Sequence, residues 1–192
     1  MPNGPMVTPP PELIDVGAAT LRRWRAADLE ASCDAVLASQ EHLKPWMPWV
    51  VDFSRAGQEE FLALSTRQWD SGEAFAYAMT VDGQIAGSIG LHGRIGPGAL
   101  EIGYWVHVGF TRRGLATAGS AALAGIAFAM PGIERVEIVV DELNFASAGV
   151  PRKLGFTDAG RRKLTPAPLG GSGHAVVWQV TRDQWLGAAA AR

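Results

Sequence analysis

The chain has 192 residues, 47% of them hydrophobic, and 17 Lys and Arg against 19 Asp and Glu give a formal net charge of -2. That length buries one sizeable core and leaves no room for a second ordinary domain, while the weak charge provides no basic field for nucleic acid or an anionic membrane. Cys33 is the only cysteine, so an intramolecular disulfide and a multi-thiolate metal site are excluded within one chain, and a reducing, cytoplasmic compartment is expected.

Residues 1–11 hold five prolines and no basic stretch leading into an apolar run, so they read as a flexible lead and not as a secretory signal. A single domain is expected over residues 12–185, with a flexible alanine-rich tail at 186–192. Its first element is a strand over 13–23, followed by a helix over 26–39 whose apolar stripe is Leu29, Cys33, Val36 and Leu37. Pro45 and Pro48 then limit residues 42–49 to a short turn or loop carrying Trp46 and Trp49. A helix after Ser54 buries Phe61, Leu62, Leu64 and Trp69 and stops at Gly72. Residues 75–81 and 84–91, joined by Asp82-Gly83, form a tight hairpin, because both turn residues accept positive φ. A strand over 100–108, a helix over 114–130 and a β-branched strand over 133–140 come next. A short helix over 144–153 and strands over 155–164 and 174–181 complete the order. No run is long and apolar enough to span a bilayer. The pattern is α+β: a central mixed, mostly antiparallel sheet of about seven strands with helices on both faces.

Within that order one junction carries chemistry. The strand Glu101-Ile102-Gly103-Tyr104-Trp105-Val106-His107-Val108 feeds a helix opened by Arg112-Arg113-Gly114-Leu115-Ala116-Thr117. The first amides of a helix lack intrahelical partners and sit at the positive end of its dipole, so they hold phosphate oxygens. Neither the Gly-x-Gly-x-x-Gly of dinucleotide folds nor the phosphate-loop signature of nucleotide triphosphatases is present. Thr111 to Ala116 is instead similar to the Gln/Arg-x-x-Gly-x-Gly/Ala signature of the GNAT superfamily of acyl-CoA-dependent N-acyltransferases, with Thr111 at the position usually Gln or Arg. A second segment, Asn144-Phe145-Ala146-Ser147 followed by Lys153-Leu154-Gly155-Phe156, resembles that family's Asn-x-x-Ser and Lys-Leu-Gly-Phe run. The segments Leu21-Arg22-Arg23 with Asp28, His42-Leu43 with Trp46-Met47-Pro48-Trp49, and Ile102-Gly103-Tyr104-Trp105 resemble its RimJ/RimL branch, whose members acetylate ribosomal-protein N-terminal amines.

The resemblance implies acetyl-CoA as co-substrate, no metal, and a primary amine as acceptor, either a protein α-amine or a small molecule. Donor contacts are expected from Val106, His107 and Val108, from Arg112, Arg113, Gly114, Leu115, Ala116 and Thr117, and from Asn144, Ser147 and Lys153. An amine attacks a thioester only when neutral, so a base is needed; Glu101, through a water, is the first candidate and His107 the second. Ser147 is expected to meet the leaving sulfur, Asn144 sharing its helix face. Phe145 stands where many relatives place an acidic tyrosine. Trp46, Trp49, Tyr104 and His174 are the candidates for the acceptor pocket, although aromatic residues in such numbers also serve a core. Another acyl donor such as succinyl-CoA, a small-molecule amine such as an antibiotic, and a non-catalytic CoA-binding regulatory module stay open, as does a homodimer.

Overall fold

In the computed structural model, which describes residues 9–190, the chain begins with a hairpin of β1 (Leu13–Asp15) and β2 (Thr20–Arg23). The continuous strand expected over 13–23 is broken at Gly17, whose φ of +74° turns the chain, and the Asp15 carboxylate accepts from the Gly17 amide at 2.8 Å. A short turn, Ala26–Asp28, leads to α1 (Leu29–Ala38) and a single-turn α2 (Gln40–Leu43). Arg22 clamps that turn to the sheet with two 2.7 Å bonds to Asp28. The inward face of α1 is Ser32, Cys33, Ala35 and Val36, while Leu37 is exposed. Helix α3 (Arg55–Ser71) starts at Ser54, whose hydroxyl accepts from the Gly57 amide, and ends at left-handed Gly72. Its buried positions Gln58, Leu62, Ser65 and Trp69 follow the helical repeat. That repeat leaves Leu64, expected inside, on the outer face.

Asp82 (φ +49°) and Gly83 (φ +79°) make the tight turn between β3 (Ala74–Val81) and β4 (Gln84–His92). Then come β5 (Ala99–Val106), α4 (Leu115–Ala129), β6 (Arg135–Asp141), α5 (Phe145–Lys153), β7 (Thr157–Lys163), β8 (His174–Thr181) and α6 (Arg182–Ala190). The strands form one sheet in the order β1-β2-β3-β4-β5-β6-β8-β7, antiparallel throughout except for the β5/β6 pair. The split of the first strand makes the count eight instead of about seven. Residues 1–8 of the expected lead lie outside the described residues; Pro11, at its end, is tied down by the Tyr77 hydroxyl at 3.0 Å. The expected tail is helical as far as residue 190. Arg182 caps the C-terminal carbonyls around α4, and Trp185 packs on Phe128 and Phe156.

One face of the sheet is covered by α4 and α5, which bury Leu115, Leu123, Phe128 and Val150 against Ile89, Ile102, Ile138 and Val176. On the other face a smaller cluster joins Trp24, Ala35 of α1 and Leu62 of α3 to Ala78 and Ile85. No helix among the described residues is long and apolar enough to cross a membrane.

The parallel pairing of β5 with β6 runs only from Ala99/Arg135 to Glu101/Glu137. Each strand nevertheless continues on its outer partner, β5 on β4 as far as Val106 and β6 on β8 as far as Asp141. The sheet therefore opens into two leaves. A register slip at Met79/Thr80 lies opposite Gly87, whose φ is +149°, and such a bulge bends a strand and increases its twist. A Cβ on Gly87 would stand 2.2 Å from the Trp105 carbonyl oxygen. Gly87→Ala is expected to destabilise the fold by about 3 kcal/mol through backbone strain and clash. Urea denaturation checks this, and an unchanged midpoint would mean that the bulge is not held by this glycine.

Candidate functional site

The two leaves leave peptide groups of β5 without sheet partners. The His107 amide donates to the Ala86 carbonyl at 2.9 Å. Peptide groups alternate direction along a strand, so those of Gly103 and Trp105 serve β4 while those of Tyr104 and Val106 aim at the side that β6 has left. A cleft of about 650 Å³ passes through this opening. On the α1/α3 side it is bounded by Trp24, Trp46, Trp49, Phe53 and Trp105, and on the α5 side by Tyr104, Asn144 and Ser147.

The turn leading into α4 lies just beyond the β5 end of the cleft. Arg112 and Gly114 are both left-handed, at φ +62° and +79°. A Cβ on Gly114 would touch nothing, so glycine is needed there for its conformation and not for close approach. Thr111 closes the turn through its hydroxyl to the Val108 carbonyl at 3.1 Å. Arg113 folds back over the Phe110 ring at 4.9 Å and donates to the Gly109 carbonyl. Arg112 is exposed and makes no hydrogen bond or ion pair among the described residues. The first backbone bond of α4 is Ala118 N–H to the Gly114 carbonyl, and no side chain caps the helix. The amides of Leu115, Ala116 and Thr117 are thus left as free donors at the positive end of a 15-residue helix. The Val108 amide is already used, donating to Ser39 Oγ at 3.0 Å. Lys153 is the last residue of α5, exposed and about 9 Å along the axis from Ser147.

Glu101 lies on the cleft floor and is buried. One carboxylate oxygen pairs with Arg94 and the other with Arg162 at 3.4 Å; Arg162 also reaches Glu137 at 3.0 Å. The two carboxylates thus stand side by side on the last paired position of the parallel strands, joined by one guanidinium. His92 carries no motif signal in the sequence. It pairs directly with Glu101 across the β4/β5 ladder, lines the cleft, and lies over the bare Cα positions of Gly90 and Gly103. Its ring makes no hydrogen bond among the described residues, and burial, helped by Arg94, pushes its pKa down to about 4. Counting the hairpin register back from Glu101 could have found it. His107 is placed elsewhere: it does not line the cleft, its Nδ1 accepts from the Gly109 amide at 2.9 Å, and its ring packs edge-on against Phe110.

At the other mouth Asn144 begins α5, its side-chain oxygen accepting from the Ser147 amide at 3.1 Å. Tyr104, expected among the acceptor aromatics, sends its hydroxyl across the gap to α5. There it meets Ser147 Oγ at 3.0 Å and the Ser147 carbonyl at 3.1 Å. Burial pushes the phenol up to about 12. Trp46 and Trp49 do line the acceptor side, Trp49 packing against Phe53 and Trp105 at 6.4 and 6.5 Å. The loop 164–173 folds towards them: the Gly170 amide donates to the Pro45 carbonyl at 2.9 Å, and Asp141 accepts from the amides of Ser172 and Gly173. His174 is exposed at the start of β8 and does not line the cleft, because its register opposite Lys163 sets it on the outer leaf. Among the described residues no three His, Cys, Asp or Glu side chains gather as a metal site.

The sequence model of the family described as "Acetyltransferase (GNAT) domain" matches residues 19–157. The chain is similar to "Putative ribosomal N-acetyltransferase YdaF" of Bacillus subtilis (strain 168), with 26% identity over 172 residues, 88% of this chain and 93% of the relative. Among solved structures it is similar to Mycobacterium smegmatis RimJ in complex with CoA-disulfide, at 25% identity and TM-score 0.76, covering 96% of this chain and 94% of that one. It shares its fold with RimL, a ribosomal L7/L12 alpha-N-protein acetyltransferase in complex with coenzyme A, at TM-score 0.80 and 23% identity over 88% of this chain and 98% of that one.

His92 makes the site sensitive to acid. Its folded pKa lies below the unfolded value of 6.5, so the unfolded chain binds the proton more readily and stability falls as pH drops from 6.5 towards 4. The expected contribution is on the order of 3 kcal/mol. Denaturation midpoints across that window should fall less steeply for His92→Gln than for the parent; parallel slopes would contradict the assignment.

Proposed function

The chain belongs to the GNAT acetyltransferase family, and on that footing we propose that it moves an acetyl group from acetyl-CoA to a primary amine by direct attack, with both substrates bound in the one cleft. The carrying observation is that cleft itself. It opens to both faces of the sheet through the gap between β5 and β6, so a thioester entering from the α5 side and an amine entering past Trp46 and Trp49 meet over Glu101. The free amides of Leu115, Ala116 and Thr117 suit the pyrophosphate, with the exposed Arg112 as a nearby cation. The unpaired peptide groups of Tyr104 and Val106 suit the amide-rich pantetheine arm.

Acetyl-CoA supplies an activated carbonyl whose carbon is attacked and whose sulfur departs. The protein's residues handle charge and protons around it. An amide of β5 facing the gap donates to the carbonyl oxygen as it gains charge. Glu101 receives the amine proton through a water, and His92, neutral at physiological pH, orients that water from the next strand. Ser147 donates a hydrogen bond to the departing sulfur, whose thiol pKa of about 8.5 asks for little more. Arg94, among the described residues the one guanidinium lining the cleft, is paired with Glu101 and so is not free to receive a carboxylated acyl group; a neutral acetyl fits better than succinyl.

For the acceptor we favour a protein N-terminal α-amine. Such an amine, with pKa near 8, is neutral about one time in ten at pH 7, against roughly one in a few thousand for lysine. The name of the similar B. subtilis protein, a ribosomal N-acetyltransferase, accords with a protein amine, and that of RimL, an alpha-N-protein acetyltransferase, with an α-amine. The lone buried thiol of Cys33 suits a cytoplasmic setting.

Thiol release from acetyl-CoA, followed with N-terminal peptides, polyamines and amino-sugars as acceptors, tests the reading. Glu101→Gln is expected to lower kcat by roughly 10²- to 10³-fold while leaving CoA affinity unchanged. Tight CoA binding with no turnover on any acceptor would overturn the enzyme reading.

A further inference from the structure

Helix α5 contains a proline, Pro151, and a proline has no N–H to give to the carbonyl four residues before it. That carbonyl belongs to Ser147. Left alone, it would be an unsatisfied acceptor at the wall of the cleft. Tyr104 supplies the missing donor from the far side of the gap, its hydroxyl 3.1 Å from the Ser147 carbonyl and 3.0 Å from Ser147 Oγ. The phenol therefore has one proton and two acceptors on the same residue. Asn144 holds the Ser147 amide from the other side, so the serine backbone is fixed at both its N–H and its C=O.

We propose that Tyr104 is a positioning residue that sets the direction of the Ser147 hydroxyl proton. At rest the phenol donates to the Ser147 carbonyl, and Ser147 Oγ donates to the phenol oxygen. As the carbon–sulfur bond breaks and its electron pair stays on sulfur, Ser147 Oγ–H turns to the sulfur and the phenol proton turns to the vacated Oγ. Each arrangement contains two hydrogen bonds, and the second has one to a charged acceptor. A hydroxyl that accepts while it donates is the stronger donor. No proton leaves Tyr104 or Ser147: the amine proton goes to Glu101 through water, the nitrogen–carbon bond replaces the carbon–sulfur bond, and CoA departs as the thiolate. Tyr104 thereby takes up the task of the tyrosine that Phe145 lacks, but from a strand and through a serine.

This inference rests on the acetyltransferase reading and on Ser147 facing the sulfur. Its test is a double-mutant cycle on the full chain, with kcat and the KM for acetyl-CoA measured for Tyr104→Phe, Ser147→Ala and the pair. Ser147→Ala should lower kcat by about 10- to 100-fold and Tyr104→Phe by a similar factor, with the KM for acetyl-CoA within twofold of the parent. The double variant should be no slower than Ser147→Ala, because groups that act as a unit are not additive. Multiplying losses, a kcat unaffected by Ser147→Ala, or a Tyr104→Phe effect confined to KM would overturn it. Thermal midpoints recorded alongside separate a variant that fails to fold, and for Tyr104→Phe the milder Pro151→Ala, which gives the Ser147 carbonyl its own N–H, reports on the same relay. It should retain the fold and shift kcat without shifting KM; an unchanged kcat would also count against the relay. A parent enzyme without any acetyl transfer would instead sink the functional reading.

Discussion

Beyond Glu101 and Glu137 the backbones of β5 and β6 separate, and the peptide groups left unpaired by that separation are what the rest of the molecule is arranged around. A sheet resists such an opening, since buried N–H and C=O groups need partners. Here each strand keeps its outer neighbour, so only the facing edges are exposed, and the bulge at Gly87 adds a bend to β4, the strand that carries β5. The last paired position carries two buried glutamates. Like charges side by side would weaken the pairing, and Arg162 removes that penalty by reaching both from β7 on the far side of the sheet. The hinge of the two leaves is thus electrostatically locked at its closed end and open at the other.

The open end is then supported by contacts that cross it without filling it. Tyr104 reaches from β5 to α5, and loop 164–173 reaches from the outer leaf to Pro45 beside the tryptophans. Both crossings rely on residues chosen for what they lack. Pro151 lacks the N–H that would have satisfied Ser147 internally, and Gly170 lacks the Cβ that would stand 2.6 Å from the Pro45 Cβ. The cleft stays open because its walls are tied to one another at the rim.

Element types were readable from the sequence because they depend on neighbours in the chain. The Asp82-Gly83 hairpin, the Ser54 cap, the Gly72 stop and the start of α4 at Gly114 all follow from local backbone chemistry. Local pattern misleads where a glycine acts inside a run that looks uniform, as at Gly17, or where an apolar residue stands just outside a buried helical stripe, as at Leu37 and Leu64. The alanine-rich end looks free in the sequence because the residues that anchor its helix, Arg182 and Trp185, contact positions about 30 to 57 earlier in the chain.

The site divides in the same way. The family, the free amides at the head of α4 and the pairing of Asn144 with Ser147 on one short helix were determined by the sequence alone, since each is a matter of spacing within a few residues. Which side chains share the cleft was decided by tertiary structure. His92 enters it through cross-strand register, and Arg94 and Arg162 occupy Glu101 from a loop and from a distant strand. Tyr104 leaves the acceptor aromatics for Ser147, and His107 and His174 fall outside. Those outcomes depend on strand pairing and on where the sheet parts, and contacts between residues far apart in the chain leave no trace in local periodicity.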